Sequence, residues 1–288
     1  MQNDVFQLTM PADPRSCAVF SSPHSGAEYP AAFLAASLLD PLQIRSSEDA
    51  FVDELFAAAP AAGAPLLAAR VPRALLDLNR APDDLDPALI RGAARRHLNA
   101  RIAAGLGVIP RVVGEGRPIM EGKLSLAEAE ARIAACWHPY HARLRTLLAE
   151  ARRRSGMAIL YDCHSMPRDA LNAAPAMWGR RPEVILGDRF GGSCDRWLID
   201  AATDVFAAAG FVVARNAPFA GGYITQTYGR PREGVHALQI EIDRALYMDE
   251  ARIERLPGFP EIAARLATVA GGLAALGPQA SAFPVAAE

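Results

Sequence analysis

Short apolar runs alternate along the chain with longer stretches of helical periodicity. Runs near residues 17–22, 65–71, 107–113, 157–163, 183–187, 211–215 and 236–243 read as strands. Between them, apolar positions at helical spacing predict helices near 30–39, 48–60, 125–154, 195–209 and 259–275. The helix at 125 opens on "SLAE", a capping box of Ser125 with Glu128. Pro139 inside it predicts a kink or a break, because proline lacks the amide donor and crowds the preceding turn. Strands interleaved with helices predict an α/β fold of three layers, a mixed and largely parallel sheet with helices on both faces. One catalytic domain over residues 1–288 is expected, with about 1–14 and 277–288 peripheral or frayed.

In such sheets, ligand sites gather at the carboxyl ends of the strands. Two of those ends carry a histidine: His24 in "SSPHSGAEYP" and His164 in "MAILYDCHSMP". Imidazole is the commonest protein ligand for zinc, and catalytic zinc sites use three protein ligands with a fourth position open. A carboxylate is the expected third ligand, and "SSEDAFVDELF" places Glu48, Asp49 and Asp53 at a helix start, with Asp49 and Asp53 sharing one face. Glu28, four residues after His24, is a further candidate. Helix capping accounts equally for the acidic segment in isolation, and a hydrogen-bonded loop accounts for a lone histidine.

The segment "HALQIEIDRALYMDE" alternates with period two. His236, Leu238, Ile240 and Ile242 take one face, and Ala237, Gln239, Glu241 and Asp243 the other. Glu241 thus falls inside a strand, where a buried carboxylate is costly unless paired or used, which makes it a candidate general base. A solvated edge strand is the alternative. In "RVPRALLDLNR", Arg80 offers the planar fork that grips a carboxylate, or else a surface pair with Asp83, Asp84 or Asp86. The loop "NAPFAGGYITQTYG" presents Asn216 and Tyr223 beside Gly221 and Gly222, where backbone and ligand can approach closely. His138 and His141 in "CWHPYH" read as structural rather than as a second metal site.

Composition narrows the partners. With 51% hydrophobic residues and a net charge of -2 from 30 basic and 32 acidic residues, the chain has ample core and no basic face for nucleic acid or an anionic membrane. An anionic ligand must therefore be met by local arginines. The four cysteines form no CxxC pair, which fits reduced thiols and a cytoplasmic setting. The N-terminus has no apolar signal core and no run approaches the roughly 18 apolar residues of a membrane span. P-loop, Rossmann and GxSxG patterns are absent.

Taken in order, "SSPHSGAEYP", "EDAFVDELF", "DLNRAPDDLD", "GLGVIPR", "PYH", "LYDCHSMP", "LGDR", "APFAGGYI" and "LQIEIDRALYMDE" resemble the N-formylglutamate amidohydrolase family, from about residue 15 to about residue 250. The resemblance implies a fold similar to the zinc carboxypeptidases and their deacylase relatives, with one zinc ion per chain. It implies hydrolysis of N-formyl-L-glutamate, a small-molecule substrate, to formate and glutamate late in histidine breakdown. His24 and His164 then correspond to zinc ligands, Glu241 to the catalytic carboxylate, and Asn79 with Arg80 to the carboxylate-binding pair. Asn216, Gly222, Tyr223 and His141 join them as candidate substrate contacts. The compact His-x-x-Glu of the carboxypeptidases is not kept, since residue 27 is Ala; Asp49 is the first choice for third ligand, then Glu28, then Asp53. The implied chemistry is attack by a zinc-activated water whose proton Glu241 takes and returns, with Asp162 orienting His164 and one or more of Arg70, Arg73, Arg215 and Arg230 aiding Arg80. A metallo-deacylase or peptidase on another N-acyl amino acid or short peptide, and a non-catalytic binding protein on the same fold, are the competing readings.

Overall fold

The computed structural model describes residues 5–94, 99–173 and 179–278. Seven strands form its main sheet: β1 (Phe6–Thr9), β2 (Ala18–Ser22), β3 (Leu66–Ala69), β4 (Ala158–Met166), β5 (Val184–Gly187), β6 (Val213–Arg215) and β7 (Val235–Asp243). Their order is β1-β3-β2-β4-β7-β5-β6. The central four, β3, β2, β4 and β7, run parallel, while β1 and the β5–β6 pair run against them. The sheet is therefore mixed, as the alternation of elements predicts.

Period-two alternation divides its side chains between two cores. Ile159, Tyr161 and Cys163 of β4 and Leu238, Ile240 and Ile242 of β7 pack under the helices Arg196–Ala208 and Phe259–Ala275. Ala158, Leu160 and Ala237 face the other way, against His138–Ser155 and Tyr223–Tyr228. Asp162, His164, Gln239 and Glu241 share that second face, nearer the carboxyl ends. The register pairs Glu241 with His164 and Gln239 with Asp162. The polar site is thus the continuation of an apolar core past the point where the helices stop covering it.

Several elements differ from the sequence pattern. The expected strand at 107–113 shrinks to Val112–Val113, because Gly105 with positive φ and Pro110 bend the segment into a loop. The helix expected over 30–39 spans only Ala31–Ala35. That expected over 48–60 has its helix at Val52–Leu55, since Phe51 sits in the left-handed region at φ 66. The capping box at Ser125 forms in both directions. Pro139 does not break its helix; Leu126–Arg132 passes through a π-helical turn, Ile133–Trp137, into His138–Ser155, and the wide turn absorbs the bond that proline cannot donate. Within the expected peripheral segment 1–14, Phe6–Thr9 is an edge strand. The expected frayed end from residue 279 lies outside the described residues.

Candidate active site

Two loops and the end of β4 bring His24, Asp49 and His164 together at the carboxyl end of the sheet. His24 lies two residues beyond β2, and its carbonyl accepts the backbone N–H of Asp49 at 3.0 Å, which fixes one loop against the other. His164 is carried on β4 itself. All three are buried, at 2%, 1% and 3% exposure, and one ligand atom from each lies within 4.8 Å of the others. Asp49 Oδ2 is 2.9 Å from His164 Nδ1 and 3.4 Å from His24 Nδ1.

The far nitrogen of each imidazole is held by a second carboxylate. His24 Nε2 lies 2.7 Å from Asp77 Oδ1, and His164 Nε2 lies 3.0 Å from Asp162 Oδ2. A carboxylate only accepts, so Asp77 holds a proton on His24 Nε2 and leaves its Nδ1 turned toward Asp49, while His164 faces a carboxylate at both nitrogens, Asp49 at Nδ1 and Asp162 at Nε2. His24 Nδ1 is buried without a hydrogen-bond partner. Burial alone would raise the carboxyl of Asp49, yet the hydrogen bond from His164 and the closeness of both imidazoles hold it well below the usual range. Asp77 behaves alike: burial opposes ionisation, and Arg73, His24 and Arg80 override it. Burial would lower His164, but Asp162, Asp49 and Glu241 together hold it well above the ordinary histidine range.

The cluster opens on a cavity of about 320 Å³, at the small end for ligand sites. Glu241, on the strand beside His164, lines it, as do Arg73, Arg80, Arg101 and Arg244. Arg244 reaches Asp49 Oδ1 at 2.9 Å and donates to Ser165 Oγ at 3.1 Å. Arg80 is fixed by donating to the carbonyls of Leu106 (3.0 Å) and Asn79 (2.8 Å). Asn79 donates through Nδ2 to Asp162 Oδ2 at 3.4 Å, beside His164 Nε2 at 3.1 Å, and accepts the backbone N–H of Ile224 at 2.7 Å through Oδ1. Burial pushes the Glu241 carboxyl up to about 8, with His164 opposing and Asp49 adding to the rise.

A buried pair of imidazoles with one carboxylate, beside a second carboxylate in an arginine-lined cavity, is a group that could hold a metal ion. The model of the N-formylglutamate amidohydrolase family matches residues 16–248. The chain belongs to that family. Its membership makes it a hydrolase. N-formylglutamate deformylase of Pseudomonas aeruginosa is 34% identical over 81% of this chain and 82% of its own, and the Pseudomonas putida enzyme of that name is 32% identical over the same shares. A crystal structure of N-formylglutamate amidohydrolase from Ralstonia eutropha JMP134 superposes with a TM-score of 0.87 at 36% identity, covering 94% of this chain and 97% of that one. A gene product of Agrobacterium tumefaciens shares the fold, with a TM-score of 0.62 at 20% identity over 93% and 94% of the two chains.

For this family member the structure separates the candidates. His24, Asp49, His164, Glu241, Asn79, Arg80 and Gly222 all line the one cavity. Glu28 does not: it is 60% exposed and pairs with Arg70. Asp53 sits beyond the left-handed turn at Phe51, outside the cluster, so it shares no face with Asp49. Asn216, Tyr223 and His141, expected as substrate contacts, do not line the cavity. Asn216 instead braces a turn by accepting from the Asp188 and Phe190 amides and donating to the Asp188 carboxylate. His141, which burial holds down to about 4, bridges the Leu78 carbonyl and the Tyr228 hydroxyl and stacks on Trp137 beside Tyr223. Both rings are the wall behind the Asn79–Arg80 loop, which Trp137 also holds by donating to the Arg80 carbonyl. Of the expected helper arginines only Arg73 lines the cavity; Arg215 pairs with Asp200, and Arg230 donates to the carbonyls of Gln226 and Gly229.

Gly222 shows how tightly the wall is built. A Cβ there would come within 2.5 Å of Asn79 Nδ2 and 2.7 Å of its Oδ1. The Gly222 backbone itself, at φ -102, suits any residue, so the neighbour alone forbids a side chain. Gly222→Ala should displace the Asn79 amide from His164 and Ile224, lowering stability by about 1–3 kcal/mol and lowering kcat/KM with it. Thermal melting and steady-state kinetics on the same preparation check this; an unchanged melting point and rate would show that the wall yields.

Proposed function

We propose that the protein hydrolyses the formamide bond of N-formyl-L-glutamate to formate and glutamate, using one zinc ion held by Nδ1 of His24, Nδ1 of His164 and the Asp49 carboxylate. The observation that carries this reading is the buried His24–Asp49–His164 cluster, with an unpartnered Nδ1, opening with Glu241 on one arginine-lined cavity. The relatives' name, N-formylglutamate deformylase, supports the substrate. The donor set fits zinc: two imidazole nitrogens and a carboxylate oxygen, all buried and within 4.8 Å of one another, would hold the ion and leave a position open. Bound there, the ion supplies Lewis acidity, polarising a carbonyl oxygen and making a water more acidic.

The chain's own groups do the rest. Asp77 and Asp162 stand at the Nε2 of the two imidazoles, so each Nδ1 would present its lone pair to the metal, that of His164 once it gives up the proton shared with Asp49. Glu241 accepts the proton of the attacking water and delivers it to the departing nitrogen; a carboxyl raised toward neutrality does both. Four guanidinium groups around the cavity suit an amino acid carrying two carboxylates.

Formate release from a panel of N-formyl and N-acetyl amino acids tests the substrate, with the highest kcat/KM expected for N-formylglutamate. A clear preference for N-acetyl or for neutral N-formyl amino acids would redirect the assignment. In the same panel, Arg80→Lys should keep the fold and raise KM for N-formylglutamate by about tenfold or more, because an ammonium replaces a fixed planar donor. Equal damage toward a neutral N-formyl amino acid means that Arg80 reads the α-carboxylate; selective damage means that it reads the side chain. No change in either would remove Arg80 from substrate binding.

A further inference from the structure

We propose that Gln239 is the positioning residue for the Glu241 carboxylate, an inference that rests on the reading of Glu241 as the base. Residues two apart on one strand project to the same face, and Gln239 stands one step deeper than Glu241 on β7. Its Nε2 donates to Glu241 Oε1 at 2.8 Å. Among the described residues this is the one hydrogen bond that either side chain makes.

The economy of that contact points to its purpose. Gln239 is 4% exposed, and its Oε1 is buried without a partner, as is Oδ1 of Asp162 at the register-paired position on β4. A buried amide whose oxygen has no partner costs stability, and an apolar side chain of similar volume would fill the space without that cost. What the amide contributes is the bond to Glu241. With Oε1 engaged, the carboxylate is held in one rotamer with Oε2 left for the cavity. The anchor is stiff, because β7 is paired on both sides, with β4 and with β5. A neutral donor also suits the task. A cationic donor at residue 239 would weaken the carboxylate as a base, and an acid there would repel it.

Replacing Gln239 by methionine in the metal-loaded enzyme tests this. Gln239→Met should leave metal content and KM little changed, lower kcat by about 10-fold to 10²-fold through misplacement of the base, and melt at or above the wild-type temperature. In a Glu241→Gln background the same change should leave the residual turnover unaltered, because its target is gone. A kcat within a few-fold of wild type would overturn the proposal, and so would a lower melting temperature with equal fractional loss of turnover in both backgrounds. Gln239→Asn keeps the amide but retracts it, and should reproduce the kcat loss; it serves if the methionine variant does not fold. Wild-type turnover in Glu241→Gln alone would instead refute the role of Glu241, a separate failure.

Discussion

Glu241→Gln is expected to bind metal normally and to lose at least about 10²-fold to 10⁴-fold in kcat, with KM little changed. The substitution keeps shape and removes the ability to take a proton. Glu241 is 7% exposed, lies across the register from His164, and makes no ion pair among the described residues. A carboxylate buried for structure alone would have such a partner, so its removal would change stability and leave the turnover of folded molecules intact. The comparison is therefore kcat per folded, metal-loaded molecule. A value within a few-fold of wild type would take Glu241 out of the mechanism, and loss of metal would make it a ligand.

The other large effect belongs to the ligands. His24→Ala, His164→Ala and Asp49→Ala should each lose metal and activity together, by more than the roughly 10-fold to 100-fold that removing an outer-shell partner costs. Asp77→Asn supplies that smaller loss for comparison, since Asp77 touches His24 at Nε2 and not at Nδ1. Glu28→Ala and Asp53→Ala should bind metal as the wild type does, because neither carboxylate belongs to the cluster. Elemental analysis of the six purified proteins separates these outcomes. Full occupancy in any of the first three would remove that residue from the ligand set.

How much of this was legible in the sequence depends on the range of each interaction. The capping box at Ser125 closes over three residues, and it forms as the pattern predicts. His24 and His164 stand out because apolar strand runs end on them. Glu241 stands out because alternation along β7 puts a carboxylate inside a strand, on the same face as Ala237 and Gln239. Asp49 could be picked from the acidic segment but not placed, since the left-handed turn at Phe51 that starts the helix late leaves no mark on the pattern. Arg244 was passed over entirely: its partner Asp49 is 195 residues away, and nothing near "DRAL" shows that its guanidinium turns inward. Asp77 was given no role either, since its contact with His24 spans 53 residues. The misplaced candidates have one cause in common. Asn216 and His141 spend their polar groups on nearby amides, a carboxylate, a carbonyl and a hydroxyl, while Tyr223 packs its ring on His141 and Trp137, and residue type alone does not separate such bracing from substrate binding.

In the proposed function, His24, Asp49 and His164 hold the one metal ion on which hydrolysis depends. The most direct test of this is a zinc titration of chelator-stripped protein, following formate release from N-formylglutamate at each addition. Activity should be lost on stripping and return linearly to a plateau at about one zinc per chain. Stripped protein, shown by elemental analysis to be free of metal, that releases formate at the wild-type rate would contradict the account.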